Sequence, residues 1–278
     1  MHKGGVMKNS KRFVIMYDFD KTLSTKYMSE FGLIKDLKYK ASSEFWDFCN
    51  ITIAKGYNMD NNLAFMLGNI KRAEEIGLKL TKKYLQSVGR SIEFFDGVET
   101  WFRRINLFGK KHGLEIEHYI ISSGIEEIIQ GSPIYKYFTK VFASSFAYNN
   151  DGEAFWPRLI VNYTAKTQYI FRIKKNLVED LTDDKEINRK YEENECVIPY
   201  KNMVYIGDGE TDVPCMKLVK EKGGHSVCLY NDSKQSRVVA EEILNDERVD
   251  IIANADYTER SELDKYIKKI IMSVAENK

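Results

Sequence analysis

Two carboxylates spaced by two stand in the run Asp18-Phe19-Asp20-Lys21-Thr22, directly after the apolar stretch Phe13-Val14-Ile15-Met16-Tyr17. At the end of a strand, such a pair can turn into one crevice as the backbone leaves the sheet. One carboxylate can then attack or bind metal while the other moves protons. The same string also suits a turn with an Asp N-cap, and a D-x-D-x-T pattern arises by chance in roughly 3–4% of chains this long. A second acidic cluster bears on that choice. Met203–Ile206 runs into Gly207-Asp208-Gly209-Glu210-Thr211-Asp212, followed by Val213-Pro214. The glycines permit a tight strand-to-helix turn, and proline suits a first helical turn. Asp208 and Asp212 thus add two carboxylates at the carboxyl end of another strand. Hard oxygen ligands from separate strand ends favour Mg²⁺ over zinc.

A phosphoryl group handled beside so many acids needs counter-charge. Glu117–Ile121 ends in Ser122-Ser123-Gly124 with a helical run behind it, where a hydroxyl and backbone N–H groups at a helix start could hold an anion. Lys166 opens the periodic segment Thr167–Ile173 and can offer a point charge to an oxyanion. Singly these features are ordinary. A serine at a strand end is more often an N-cap, and most lysines are solvated. Their order carries more: two Asp, then Ser, then Lys, then two Asp, each at a strand end or a helix start.

The elements around them alternate. Strand-like runs occur at Phe13–Tyr17, Glu117–Ile121, Lys140–Ala143, Met203–Ile206 and Ser226–Tyr230. Helical periodicity marks Val98, Trp101, Phe102 and Ile105, and again Leu263, Tyr266, Ile267, Ile270 and Val274. This alternation predicts a parallel sheet wrapped by helices. Asn149-Asn150-Asp151-Gly152 reads as a hairpin turn, with Phe146–Tyr148 and Ala154–Val161 projecting from that sheet. From about Leu23 to Ile92 there is no proline, and Leu63, Met66, Leu67, Ile70 and Ala73 form one apolar helical stripe. Residues 60–62 offer N-caps for that helix, Thr81 offers one for the next, and Phe45, Trp46, Phe48 and Cys49 suggest a further helix. An all-helical insertion of about 70 residues therefore follows the first strand. It would roof a site, because ligands of such sheets sit at the carboxyl ends of strands. Its aromatic residues (Tyr27, Phe31, Phe45, Trp46, Phe48, Tyr57, Phe65) read mainly as packing, with one or two left to face a pocket.

Composition narrows the classes. The 278 residues carry 42 Lys+Arg against 41 Asp+Glu, a net charge of +1 that supplies no field to gather nucleic acid or an anionic membrane. No apolar run approaches the ~20 residues of a membrane span, and the basic start (Lys3, Lys8, Lys11, Arg12) lacks the apolar length of a signal peptide. Cys49, Cys196, Cys215 and Cys228 are scattered, which argues against a disulfide framework or zinc cluster and makes a reducing cytoplasm the expected location. The segment from Glu179 to Glu195 holds eight acidic residues against three basic and reads as a solvated surface insertion.

With these motifs in this order, the chain resembles the haloacid-dehalogenase-like (HAD) hydrolase superfamily, closest to its phosphoserine-phosphatase-like branch. The resemblance implies an α/β, Rossmann-like core at residues 1–24 and 98–278, with a helical cap domain at 25–97 and a small β-hairpin. It implies a phosphatase acting on a small phosphorylated metabolite, with Mg²⁺ as cofactor and neither nucleic acid nor membrane as partner. By the same resemblance Asp18 is the nucleophile that becomes phosphorylated. Asp20 is the general acid and base, and its backbone carbonyl joins Asp18, Asp208 and Asp212 around the metal. Thr22, Ser122, Gly124 and Lys166 hold the phosphoryl group, with Ser123 the alternative to Ser122.

The presence of Asp20 argues against a dehalogenase. Phosphoserine is disfavoured as substrate, because Tyr27 stands nine residues after the first Asp, where phosphoserine phosphatases carry a Glu that reads the amino group; Thr211 likewise replaces their usual Asn. Two other functions stay open: a phosphomutase-like phosphoryl transferase, and a binding protein that keeps the fold without catalysis. The intact acidic residues speak against the latter, since a retired site has no reason to gather like charges.

Overall fold

A computed structural model of the protein describes residues 11–179, 181–182, 184–190 and 198–276. The chain begins with β1 (Lys11–Tyr17) and then passes through four short or medium helices, α1 (Leu33–Asp36), α2 (Ser42–Asp47), α3 (Asn61–Ile76) and α4 (Lys82–Gly89). Helix α5 (Val98–Lys111) leads to β2 (Leu114–Ile125), α6 (Glu126–Gly131), β3 (Lys140–Tyr148) and β4 (Ala154–Leu159). There follow α7 (Lys166–Lys174), α8 (Asp184–Asn188), β5 (Met203–Gly207), α9 (Val213–Glu221), β6 (His225–Tyr230), α10 (Lys234–Asn245), β7 (Ile251–Asn254) and α11 (Glu262–Glu276).

The seven strands form one sheet in the order β4-β3-β2-β1-β5-β6-β7, parallel throughout except for the antiparallel β3–β4 pair. Phe13 to Tyr17 are all fully buried, as a central parallel strand covered on both faces requires. Its side chains divide by alternation. Phe13, Ile15 and Tyr17 join Trp101, Phe102 and Ile105 of α5 and Leu263, Ile267 and Ile271 of α11. Val14 and Met16 join Tyr169 and Ile170 of α7, Met216 of α9 and Ile243 of α10 on the other face. The chain leaves β1 toward β2 on one side and reaches β5 on the other, so the strand order reverses at β1. That reversal opens a crevice beyond the carboxyl ends of β1 and β5.

Between β1 and α5 the chain is helical, apart from isolated bridges Asp20–Ser24 and Ser24–Phe94 at its base and Thr81–Glu153 to the hairpin. Asp60 and Thr81 cap α3 and α4 as expected: the Asp60 carboxylate accepts from the Asn62 and Leu63 N–H groups, and the Thr81 hydroxyl from the Tyr84 N–H. The expected helix through Phe45 to Cys49 is instead α2 followed by a π-helical stretch, Phe48–Lys55. Helix α4 docks on α6 where Gly89 and Gly131 let the backbones meet. A Cβ at Gly89 would press on the Ile128 carbonyl, and one at Gly131 on Gln86.

The hairpin differs from expectation. It extends the sheet rather than projecting from it, with β4 as an edge strand that can accommodate Pro157. It also ties the insertion down, since the Ala154 N–H donates to the Leu80 carbonyl (2.8 Å) and the Asn62 amide to that of Val161 (2.8 Å). β7, only four residues long, was not foreseen. No helix among the described residues is long and apolar enough to cross a membrane. Cys49, Cys215 and Cys228 are buried and unpaired, while Cys196, Lys3, Lys8 and much of the acidic segment (180, 183 and 191–195) lie outside the described residues.

Candidate active site

The site is built at the reversal point. Beyond Tyr17 the Asp18 N–H still donates to the Ile206 carbonyl of β5 (2.9 Å), and only then does the chain turn. The N–H groups of Leu23 and Ser24 converge on the Phe19 carbonyl at 2.9 and 3.1 Å, and Lys21 takes a left-handed φ of 58°. Phe19 is fully buried, so the residues on either side of it face the cleft. The spacing of two works because the middle residue anchors the turn.

Asp18 is 6% exposed, and its Oδ1 lies 2.9 Å from the ammonium of Lys166, which opens α7. That ammonium, itself 1% exposed, is also 2.7 Å from Oδ1 of Asp212. Asp212 ends the 3₁₀ turn before α9 and is held on both oxygens. Oδ1 accepts from Lys166 and from the Tyr205 hydroxyl (2.7 Å), and Oδ2 accepts from the Asp208 N–H (3.3 Å). Gly207 is required by this packing, because a Cβ there would overlap the Asp212 carboxylate. Asp18, Asp208 and Asp212 each present an oxygen within 4.8 Å of the others.

The Asp20 carboxylate is not part of that cluster; its Oδ1 accepts the Met28 N–H at 2.8 Å. Met28, Gly124 and Asp20 pack as a unit. A Cβ at Gly124 would overlap the Met28 thioether and come within 3.3 Å of Asp20 Oδ2. Ser122, Ser123, Gly124 and Lys166 line the same cleft of about 750 Å³ as the four aspartates' loops. Thr22 does not line it: the residue is fully buried, with its hydroxyl 3.5 Å from Asp208 Oδ1 and its carbonyl accepting from the Tyr257 hydroxyl (2.9 Å). Its position supports the loop and a carboxylate rather than a phosphoryl oxygen.

The serine motif also sits differently from the expected helix start. β2 remains extended through Ile125, which pairs with Ser144 beyond an irregularity, and α6 begins only at Glu126. The Gly124 N–H is engaged by the Ser122 hydroxyl oxygen (3.1 Å).

Burial and like charge separate the two leading carboxyls. Burial raises Asp18, Lys166 opposes the shift, Asp212 adds to it, and the group settles at about 6. Burial, reinforced by the Asp18 charge, pushes Asp20 up to about 8 against the Met28 N–H. Asp208 is held well above the usual carboxylate range by burial, Asp212 and Asp18. Burial disfavours the charged Lys166, but Asp18 and Asp212 outweigh it and raise the ammonium's pKa. Near neutral pH this arrangement keeps Asp18 ionised while Asp20 retains its proton.

Several cleft residues escaped the motif reading. Tyr205 was visible only as a hydroxyl in an otherwise apolar buried strand. Tyr27, Trp46 and Phe65, expected mainly to pack, all line the cleft. Trp46 stacks on Phe65 at 5.5 Å and meets Tyr27 edge-on at 5.3 Å. Asn231 and Ser233, just beyond β6, lie where the strand-end rule would have placed ligand contacts.

No family model matches the sequence. A protein of Borreliella burgdorferi described as uncharacterized is 29% identical over 287 residues, covering 94% of this chain and 97% of that one. Among solved structures, a HAD family hydrolase of Salmonella enterica serovar Typhi superposes with a TM-score of 0.57 at 18% identity, covering 92% of this chain and 70% of its own. A substrate-bound phosphoserine phosphatase does so with a TM-score of 0.51 at 15% identity, covering 93% and 98%. The fold, a mostly parallel sheet with its crevice beyond β1 and β5, is thus similar to that of a HAD family hydrolase and of a phosphoserine phosphatase.

Proposed function

We propose that the protein is a Mg²⁺-dependent phosphatase that hydrolyses a small phosphomonoester through an aspartyl-phosphate on Asp18. The observation that carries this reading is the pairing of Asp18 with the buried Lys166 beside Asp208 in one cleft, with Asp212 buried behind them. The donor set fits the metal: the clustered ligands are all carboxylate oxygens, and Lys166 is the single buried ammonium among them. Asp18, Asp208 and Asp212 would hold the ion together with the Asp20 backbone carbonyl, and Asp212 Oδ1 would also orient Lys166. Bound there, Mg²⁺ supplies positive charge that offsets the repulsion between an incoming phosphate and the carboxylates.

Asp18 attacks phosphorus as the carboxylate, while Lys166 neutralises a phosphoryl oxygen. Asp20 delivers its proton to the departing alkoxide. The resulting Asp20 carboxylate then takes a proton from the water that opens the acyl-phosphate, and Asp18 is restored. The Ser122 hydroxyl, whose oxygen accepts from the Gly124 N–H, would donate to one of the remaining oxygens, with Ser123 the alternative. Residues 25–97 would act as the cap over the core of 1–24 and 98–278, with Tyr27 in place of an amine-reading carboxylate.

The test is release of inorganic phosphate from a panel of phosphomonoesters, run with Mg²⁺ and with chelator. We expect metal-dependent turnover that Asp18→Asn abolishes while keeping its fold, since an amide cannot form the acyl-phosphate. Substantial turnover by Asp18→Asn would overturn the assignment.

A further inference from the structure

The helical insertion meets the cleft with an unusual wall. It contributes three rings, Tyr27, Trp46 and Phe65, and three amides, Asn50, Asn61 and Asn62. None of the insertion residues lining the cleft is charged; the lining carboxylates all belong to the loops after β1 and β5. A substrate amino group reaching this wall would find no counter-ion. The cleft of about 750 Å³ lies within the ~300–1,000 Å³ range that encloses drug-sized ligands, larger than a phosphorylated amino acid calls for.

Aromatic walls take two kinds of guest, cations and flat rings. Here the cationic guest is disfavoured by a residue already in place. The Lys21 ammonium lies 3.7 Å from the Tyr27 ring centroid and lines the same cleft. It would repel a second cation and attract an anionic ligand. The three amides offer donors and acceptors for the edge of a heteroaromatic ring, and the Asn62 side chain, donating to the Val161 carbonyl, is fixed in place.

We infer that the substrate is a phosphomonoester of the nucleoside monophosphate class, its base seated against Trp46 and the insertion's amides while its phosphate reaches Asp18 and Lys166. This rests on the phosphatase reading for turnover but not for binding. The base gains van der Waals contact with the part of the Trp46 ring that lines the cleft beside Phe65 and Tyr27, and its uncharged edge needs no counter-ion. Trp46 thereby becomes a specificity-determining residue.

The experiment compares kcat/KM for adenosine and cytidine 5′-monophosphates with that for phosphoserine, phosphocholine and glucose 6-phosphate on the full chain with Mg²⁺. We expect at least one nucleotide to exceed all three by tenfold or more. Trp46→Leu should lower the nucleotide-to-glucose-6-phosphate ratio about tenfold through KM, and Trp46→Phe should restore most of it. In parallel, intrinsic fluorescence of Asp18→Asn is titrated with the same nucleotides, where binding should quench a signal that Trp46→Phe in that background loses. Preference for phosphocholine, phosphoserine or glucose 6-phosphate overturns the inference, as does a Trp46→Leu effect equal for every substrate. Should no ester be turned over, the phosphatase reading falls. Quenching by nucleotide then upholds the base site, and lack of quenching removes it too.

Discussion

Replacing Lys166 by Met tests whether the acidic cluster is held together by one ammonium. In the wild type that ammonium is 1% exposed and contacts Asp18 at 2.9 Å and Asp212 at 2.7 Å. Methionine keeps the apolar stem and deletes the charge. Removing one partner of a buried ion pair costs ~3–5 kcal/mol, because the other charge stays behind unpaired. Domains of this size lose roughly 2–4 °C of Tm per kcal/mol, so the chelator-treated variant should melt about 6–20 °C lower at pH 8.

The pH dependence gives a second handle. Asp18, at about 6, and Asp20, at about 8, both bind protons more tightly in the folded state than a free carboxylate does. A folded-state pKa raised in this way contributes stability below the unfolded pKa near 4 and loses it as pH climbs through the folded value. Metal-free protein should therefore weaken between pH 5 and pH 8. The Lys166→Met deficit should be much smaller at pH 5, where protonation removes the repulsion. Mg²⁺ at pH 8 should recover part of it by binding only the folded form. Thermal unfolding followed by circular dichroism at both pH values, with and without Mg²⁺, reads all three. A variant melting within 2 °C of wild type at pH 8, or a deficit equal at both pH values, would refute the reasoning.

Other perturbations follow from the same geometry. With saturating Mg²⁺, log(kcat/KM) for any turned-over ester should fall on the alkaline side as Asp20 loses its proton. Asp20→Asn should remove the alkaline limb along with most activity, and a profile unchanged by that variant would count against the acid role. Tyr205→Phe deletes one donor to Asp212 Oδ1, leaving Lys166 on the same oxygen. It should cost ~0.5–1.5 kcal/mol in denaturant unfolding and weaken Mg²⁺ binding measured by calorimetry; no change in either would remove the positioning role. Gly207→Ala drives a Cβ into the Asp212 carboxylate and should reduce Mg²⁺-induced stabilisation far more than Gly209→Ala, where the added atom meets open space; equal effects would count against the packing argument.

The chemistry written into strand ends was legible in sequence, and the chemistry written into helix faces was not. Asp18, Asp20 and Asp208 each follow a buried apolar run, so strand period and ligand position are read from the same few residues. The core helices were equally plain, because α5 buries Val98, Trp101, Phe102 and Ile105 on one simple stripe. The Ser122–Gly124 motif was found but given the wrong backbone. Small polar residues before a helical run suggest a helix start, and the pairing of Ile125 with Ser144 keeps β2 extended through them.

The aromatic residues of the insertion posed a harder problem. Phe45 is fully buried and Tyr57 is exposed, while Trp46 lines the cleft, although all three fit an aromatic helix equally well. Phe45 and Trp46 diverge because consecutive positions of α2 point roughly 100° apart, and the π-helical stretch between α2 and Tyr57 then breaks the 3.6-residue register on which a stripe argument depends. Long-range contacts set the rest: the Val161 carbonyl, just past β4, holds the start of α3 through Asn62, and α4 docks on α6. The wall that would select the substrate is thus assembled by segments far apart in sequence, and the acid pair that would carry the chemistry lies within a single turn. Specificity in such a fold can change through the packing of the insertion while the strand-end acids stay where they are.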